Sequence, residues 1–139
     1  MLIQHSVEID AVSSSIWAMF VDVARWPEWT ASVERITPLD GADLEVGRRY
    51  EIKQPRFPKL VWEVTDLDAG TAWTWEQRSL GRTTVATHEL APKESGGTVV
   101  RLSVDQRGPL GAVVGTLTRS LTRRDLDLEA QGLKARCES

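Results

Sequence analysis

Hydrophobic and polar positions alternate along most of the chain. Residues 2–10 place Ile3, His5, Val7 and Ile9 on one face and Gln4, Ser6 and Glu8 on the other, the period-two signature of a half-buried strand. The same alternation returns at about 31–39, 48–54, 60–67, 72–78, 83–91 and 98–106, which predicts seven strands. One face of these runs carries Tyr50, Ile52, Trp62, Val64, Trp73, Trp75, Ala86, His88, Leu90, Val100, Leu102 and Val104. The opposite face carries Glu51, Glu63, Glu76, Glu89 and Arg101 among others. An antiparallel sheet covered on one side gives this pattern.

Three stretches break the alternation. Ser13-Ser14-Ser15 offers helix caps before Ile16-Trp17-Ala18-Met19-Phe20. Asp22 to Trp29, which includes Pro27, predicts a second short helix or turn. From Gly108-Pro109 onward, Leu110, Val113, Val114, Leu117, Leu121 and Leu128 recur on one stripe at helical spacing. The pattern predicts one long helix laid across the apolar sheet face.

A chain of 139 residues fits one domain, 1–139, and can bury roughly two-thirds of the surface its unfolded form exposes. Six of its nine aromatic residues are Trp, a side chain whose N–H suits half-wet cavity walls. The net charge of −3 lacks the basic excess of a nucleic-acid surface. Arg119, Arg123 and Arg124 with Lys134 and Arg136 are balanced in sequence by Asp125, Asp127 and Glu129, which reads as a solvated helix face. The lone Cys137 excludes an internal disulfide, and no His/Asp/Glu spacing suggests a metal. No cofactor motif is present: Gly96-Gly97 precedes a strand, so it is a hairpin turn and not a phosphate loop. The N-terminus shows no signal-peptide pattern and no apolar run approaches ~18 residues, so a cytoplasmic protein without a membrane span is expected, as monomer or homodimer.

Several strings carry a family resemblance: Ile9 and Ala11 before the Ser-rich cap, Ile16-Trp17, and Asp22 with Trp26-Pro27-x-Trp29. Val46-Gly47-x-x-Tyr50, Glu89-Leu90 and Gly96-Gly97-Thr98 follow in the same order. The chain resembles the polyketide cyclase/dehydrase branch of the START-like, Bet v 1-type (SRPBCC) superfamily. That resemblance implies an α+β helix-grip fold: a curved seven-stranded antiparallel sheet around a long C-terminal helix, with two short helices after the first strand. It further implies a hydrophobic cavity for a small molecule. It supplies no catalytic residue, since no signature of a defined cyclase is present.

Within that frame, Tyr50, Trp62, Trp73, Trp75, His88, Leu102, Val114 and Leu117 are the expected lining of a cavity for an apolar or aromatic ligand, lipid- or polyketide-like. Plain core packing under the helix is the competing reading for the indoles. Trp26 and Trp29 would form a lid or plug at the mouth. His88 and His5 share the inward face but lie two strands apart, roughly 10 Å, too far to share a metal. Arg124, flanked by Leu121 and Leu128, would need a buried partner. Two functions follow: a binder of hydrophobic molecules, or a cyclase/dehydrase-type enzyme with His88 and Arg124 moving protons and steadying an enolate. Gln54 and Gln77 are inward by parity and offer further polar anchors.

Overall fold

A computed structural model describes Met1–Ser139. Seven strands form one antiparallel sheet in the order β1-β7-β6-β5-β4-β3-β2. They are β1 Leu2–Ile9, β2 Arg35–Pro38, β3 Arg49–Lys53, β4 Leu60–Asp68, β5 Ala72–Ser79, β6 Arg82–Pro92 and β7 Thr98–Arg107. Between β1 and β2 lie helix α1 (Ser13–Val21) and a 3-10 segment, Val23–Glu28. After β7 come α2 (Gly111–Leu117) and α3 (Arg119–Glu138). This is the helix-grip fold, with α3 packed on β1, β7 and α1.

The alternation in the sequence sets the two sheet faces. Ile52, Trp62, Val64, Trp73, Trp75, His88, Leu90, Val100 and Leu102 are all buried. Glu63, Arg101 and Arg78 point to solvent on the other face, where cross-strand pairs such as Arg101–Glu89 form. Because one face is buried, a one-residue slip would turn the three strand indoles, Trp62, Trp73 and Trp75, outward, so the register is pinned. A bulge between Val64 and Asp66 in β4 helps curve the sheet around its helix.

The caps differ from expectation. Helix α1 starts at Ser13 with no side-chain cap, and the Ser13 hydroxyl instead meets Thr98 Oγ1 at 2.9 Å. Thr98 Oγ1 also donates to the Ala11 carbonyl at 2.9 Å, which ties the start of β7 to the β1–α1 turn.

The C-terminal element corrects the expectation of a single helix. It breaks at Thr118, and the two pieces bury different faces. Helix α2 packs through Gly111 and Gly115: a Cβ at Gly111 would meet the Gln106 carbonyl oxygen at 2.7 Å, and one at Gly115 would meet Met1 Sδ at 2.9 Å. The missing side chains let the helix backbone lie against β7 and the N-terminus, which turns Val113 and Leu117 outward. Helix α3 buries Thr122, Leu126, Glu129, Ala130 and Leu133 and leaves Arg123 and Arg124 in solvent.

Candidate functional site

Of the rungs of inward side chains that cross the sheet, three successive ones bear on the site, and each has a different character. In the deepest, Trp73 pairs with His88 and His88 with Leu102, which pairs with His5 on β1. The His88 ring stacks on Trp73 at 3.9 Å and 10°. Phe20 and Trp26 pack edge-on against His88 at 5.4 and 5.6 Å, so α1 and the 3-10 segment close this rung. The middle rung is Trp75, Ala86 and Val104. The outer rung is polar: Gln77, Thr84 and Gln106.

A cavity open to solvent lies over the middle and outer rungs. Its apolar wall includes Trp26, Ile52, Phe57, Trp62, Trp75 and Leu126. Its polar wall includes Gln54, Gln77, Arg82 and Gln106 from the sheet side and Thr118, Thr122 and Asp125 from the break and first turns of α3. Residues 118, 122 and 125 fall at helical spacing, so the start of α3 presents a polar stripe to the cavity, and Glu129 continues that stripe beyond the cavity wall.

Of the eight residues expected to line a cavity, Trp62 and Trp75 border it. Tyr50, Trp73, His88 and Leu102 are fully buried behind it, because strand parity fixes which face a residue takes and not how far along the sheet a void opens. Val114 and Leu117 are corrected: both lie on α2 away from the cavity, and Leu117 is among the most exposed large apolar residues. Arg124 is corrected too. It is exposed, because the break at Thr118 resets the helical phase and the Leu121–Leu128 frame does not mark the buried face of α3. Gln54 and Gln77 do border the cavity. Trp26 is buried core with its Nε1–H donated to the Phe20 carbonyl at 3.0 Å, while Trp29 is half-buried. His5 is half-buried, with Nε2 3.7 Å from Asp127.

Polar satisfaction is uneven around this site. Thr84 Oγ1 donates to Gln106 Oε1 at 2.7 Å. Gln77 Nε2 donates to the Arg78 carbonyl and to Ser79 Oγ, but Gln77 Oε1 has no partner. Trp62 Nε1 and Trp73 Nε1 are likewise buried and unpaired. Such groups are uncommon in native interiors. Glu129 Oε1 is the fourth such atom, and two of the four, Trp62 Nε1 and Gln77 Oε1, belong to cavity-wall residues.

Sequence reasoning missed Asp125 and Glu129. Half burial pushes the Asp125 carboxyl up to about 6, against the pull of neighbouring Arg124. One turn on, Glu129 is fully buried and is pushed up to about 8 by desolvation and by the charge of Asp125. Glu129 Oε1 lies 3.5 Å from His88 Nε2. Burial pushes His88 down to about 3, opposed by its contact with the Trp73 carbonyl at 3.3 Å. A carbonyl only accepts, so His88 Nδ1 carries a proton and neutral His88 presents Nε2 as acceptor. Protonated Glu129 then faces that acceptor, and the two groups form an uncharged pair in a setting where separated charges would be costly. No group of three or more His, Cys, Asp or Glu side chains is placed to hold a metal. No helix is long and apolar enough to cross a membrane.

The chain belongs to the family described as polyketide cyclase / dehydrase and lipid transport, whose model matches residues 2–138. Among solved structures it is similar to norcoclaurine synthase from Thalictrum flavum in complex with dopamine and hydroxybenzaldehyde, with TM-score 0.77 and 16% identity over 97% of this chain and 84% of that one. A hypothetical protein from Helicobacter pylori gives TM-score 0.82 with 12% identity over 99% and 88%. XoxI from Bacillus cereus gives 0.76 with 12% identity over 98% and 94%. At these identities the likeness is one of fold. A comparison with curated proteins by sequence finds no match. The family and the helix-grip fold support a hydrophobic ligand-binding role.

Proposed function

We propose that this protein binds an apolar or aromatic small molecule, lipid- or polyketide-like and bearing at least one polar group, in the cavity between the sheet and α3. The observation that carries this is the wall itself: indoles beside two buried polar atoms, Trp62 Nε1 and Gln77 Oε1, that the protein leaves unpaired. A purely aliphatic guest would leave both atoms unsatisfied, at a cost comparable to a lost hydrogen bond each. A ring system with a hydroxyl or carbonyl can satisfy one while its body covers Trp75 and Ile52.

The test uses 2-naphthol, a planar bicycle with one hydroxyl, and follows Trp emission. Saturable quenching that persists when salt is raised is expected, since apolar burial drives the binding. Gln77→Leu should weaken binding roughly fivefold, the equivalent of about 1 kcal/mol for one hydrogen bond. Quenching that never saturates, or that is unchanged by Gln77→Leu and by Trp62→Phe, would place the probe elsewhere and sink the reading.

The enzyme reading through His88 and Arg124 gains no support: His88 lies behind the cavity wall and Arg124 in solvent. Proton-transfer chemistry would instead rest on Asp125, the cavity-wall acid whose affinity for a proton is raised toward neutrality. A guest that strips water from Asp125 favours its protonated form. Naphthol affinity should therefore fall as pH rises through about 6, and Asp125→Asn should flatten that dependence.

A further inference from the structure

One end of the sheet collects every short turn around the cavity mouth. The antiparallel order places the 54–59 turn, the β5–β6 hairpin tip, the end of β7, helix α2 and the start of α3 together there. Direct contacts bind this end: the Leu110 amide donates to the Gly81 carbonyl at 2.8 Å. Gly81 and Gly108 both have positive φ, and a Cβ on Gly108 would meet the Gly81 carbonyl oxygen at 2.8 Å.

Apolar side chains stand out from this end. Leu80 at the hairpin tip is 98% exposed, Leu117 79%, Val113 56% and Leu110 48%. For α2 the cause is local: its glycines occupy the packed face, so its apolar stripe has only solvent to meet. At the same end of the sheet stand Arg56, Lys59, Arg82, Arg119 and Arg123, none with an acidic partner within 4.0 Å. The acidic neighbours that seem to balance the α3 arginines in sequence form no ion pair with Arg119 or Arg123: Asp127 lies against His5, and Asp125 feels the charge of Arg124. Asp125 is turned to the cavity and Glu129 is buried against His88. The chain as a whole carries −3, so this end is a basic, apolar pole on an acidic molecule.

We propose that this pole docks on an anionic phospholipid bilayer. The four apolar side chains would enter the interface while the arginines meet lipid phosphates, the pairing that interfacial segments use. A second copy of the chain fits poorly. A two-fold contact would set the arginines against their own copies, and four side chains fall short of the ~800 Å² per partner of a stable interface. Docking in this orientation also brings the cavity mouth, bordered by Phe57, Arg82 and Thr118, to the bilayer surface. The inference goes beyond the ligand reading and does not depend on it.

The experiment is vesicle pelleting with the full chain. Vesicles of phosphatidylcholine with about a third phosphatidylglycerol should bind the protein, and pure phosphatidylcholine far less. Raising salt from about 0.05 M to about 0.5 M should weaken the binding. The double variants Leu80→Ser/Leu117→Ser and Arg119→Ser/Arg123→Ser should each lower the partition coefficient about tenfold. All four positions are exposed, so both variants should keep wild-type circular dichroism. Leu80→Ser/Leu117→Ser should also keep naphthol quenching, which separates this inference from the cavity. No binding to the anionic vesicles at low salt would overturn the proposal. So would binding that Leu80→Ser/Leu117→Ser leaves intact, since charge alone would then explain it. A concentration-dependent dimer in sedimentation velocity that the same variant dissolves would assign the patch to a second copy instead.

Discussion

Replacing Gly132 by alanine should destabilise the protein by about 3 kcal/mol, although the change is from a poor helix former to the best one. Gly132 lies inside α3, where helix propensity alone would favour alanine by about 1 kcal/mol. Packing reverses the sign. A Cβ at this position would overlap the Trp29 carbonyl oxygen and stand 3.3 Å from Thr30 Cα. Both are backbone atoms of a segment held by its own bonds. The amides of Trp29 and Thr30 donate to the Trp26 carbonyl, and the Thr30 and Ser32 hydroxyls meet at 2.8 Å in a buried site. The segment cannot yield cheaply, so α3 must lift. Lifting it loosens Leu126, Ala130 and Leu133 from the core and moves Asp125 away from the cavity. Urea unfolding followed by circular dichroism measures the effect. Gln131→Ala, exposed on the same helix, should change stability by less than about 0.5 kcal/mol and is the control. A Gly132→Ala protein as stable as wild type would mean that α3 does not seat on the Trp29 carbonyl.

The strands were legible because their period is two and one face is buried. Trp62, Trp73 and Trp75 have no choice of side once the register is set, and the Gly96-Gly97 turn marks where β6 gives way to β7. Depth was not legible. His88 and Ala86 have the same parity, yet one sits behind the cavity and the other on its wall, since α1 and Trp26 fill the space above His88. The C-terminal helix misled for a different reason. Leu110, Val113, Leu117 and Leu121 make a better apolar stripe than the one α3 buries, which mixes Thr122, Glu129 and Ala130 with two leucines. The signal against it was the Gly111 and Gly115 pair at i, i+4, a face free of side chains that a helix can press against a sheet. Glu129 was hidden because a carboxylate on a helix is ordinarily a surface group. Its inward placement shows only when the 118, 122, 125, 129 spacing is followed through the break at Thr118.

Stability should be greatest in mildly acidic solution and should fall by on the order of 2 kcal/mol between pH 6.5 and about pH 8, owing to the Glu129–His88 pair. Glu129 is raised from 4.5 to about 8, so its contribution is fully present below 4.5 and is lost as pH rises through 8. His88 is lowered from 6.5 to about 3 by burial, so its contribution is present above 6.5 and is lost as pH falls toward 3. Together the folded pair holds one proton from about 3 to about 8, whichever partner carries it. The unfolded chain also holds one proton on these two groups between 4.5 and 6.5, so the pair contributes no pH dependence there. Above 6.5 the unfolded chain sheds its proton while the folded pair keeps one, and stability declines. Below 4.5 the unfolded chain gains a second proton that the folded pair refuses, and stability declines again. Half-exposed Asp125, raised from 3.8 to about 6, adds a gentler fall over that range and tilts the plateau toward acid. In Glu129→Gln the side-chain amide can donate to His88 Nε2 without titrating. The alkaline decline should therefore vanish in this variant while the acid limb, which belongs to His88, remains. Urea midpoints measured from about pH 4 to pH 9 on both proteins decide the matter. An alkaline decline of equal size in Glu129→Gln, or wild-type stability that rises between pH 6.5 and 8, would mean that the proton is not held between Glu129 and His88.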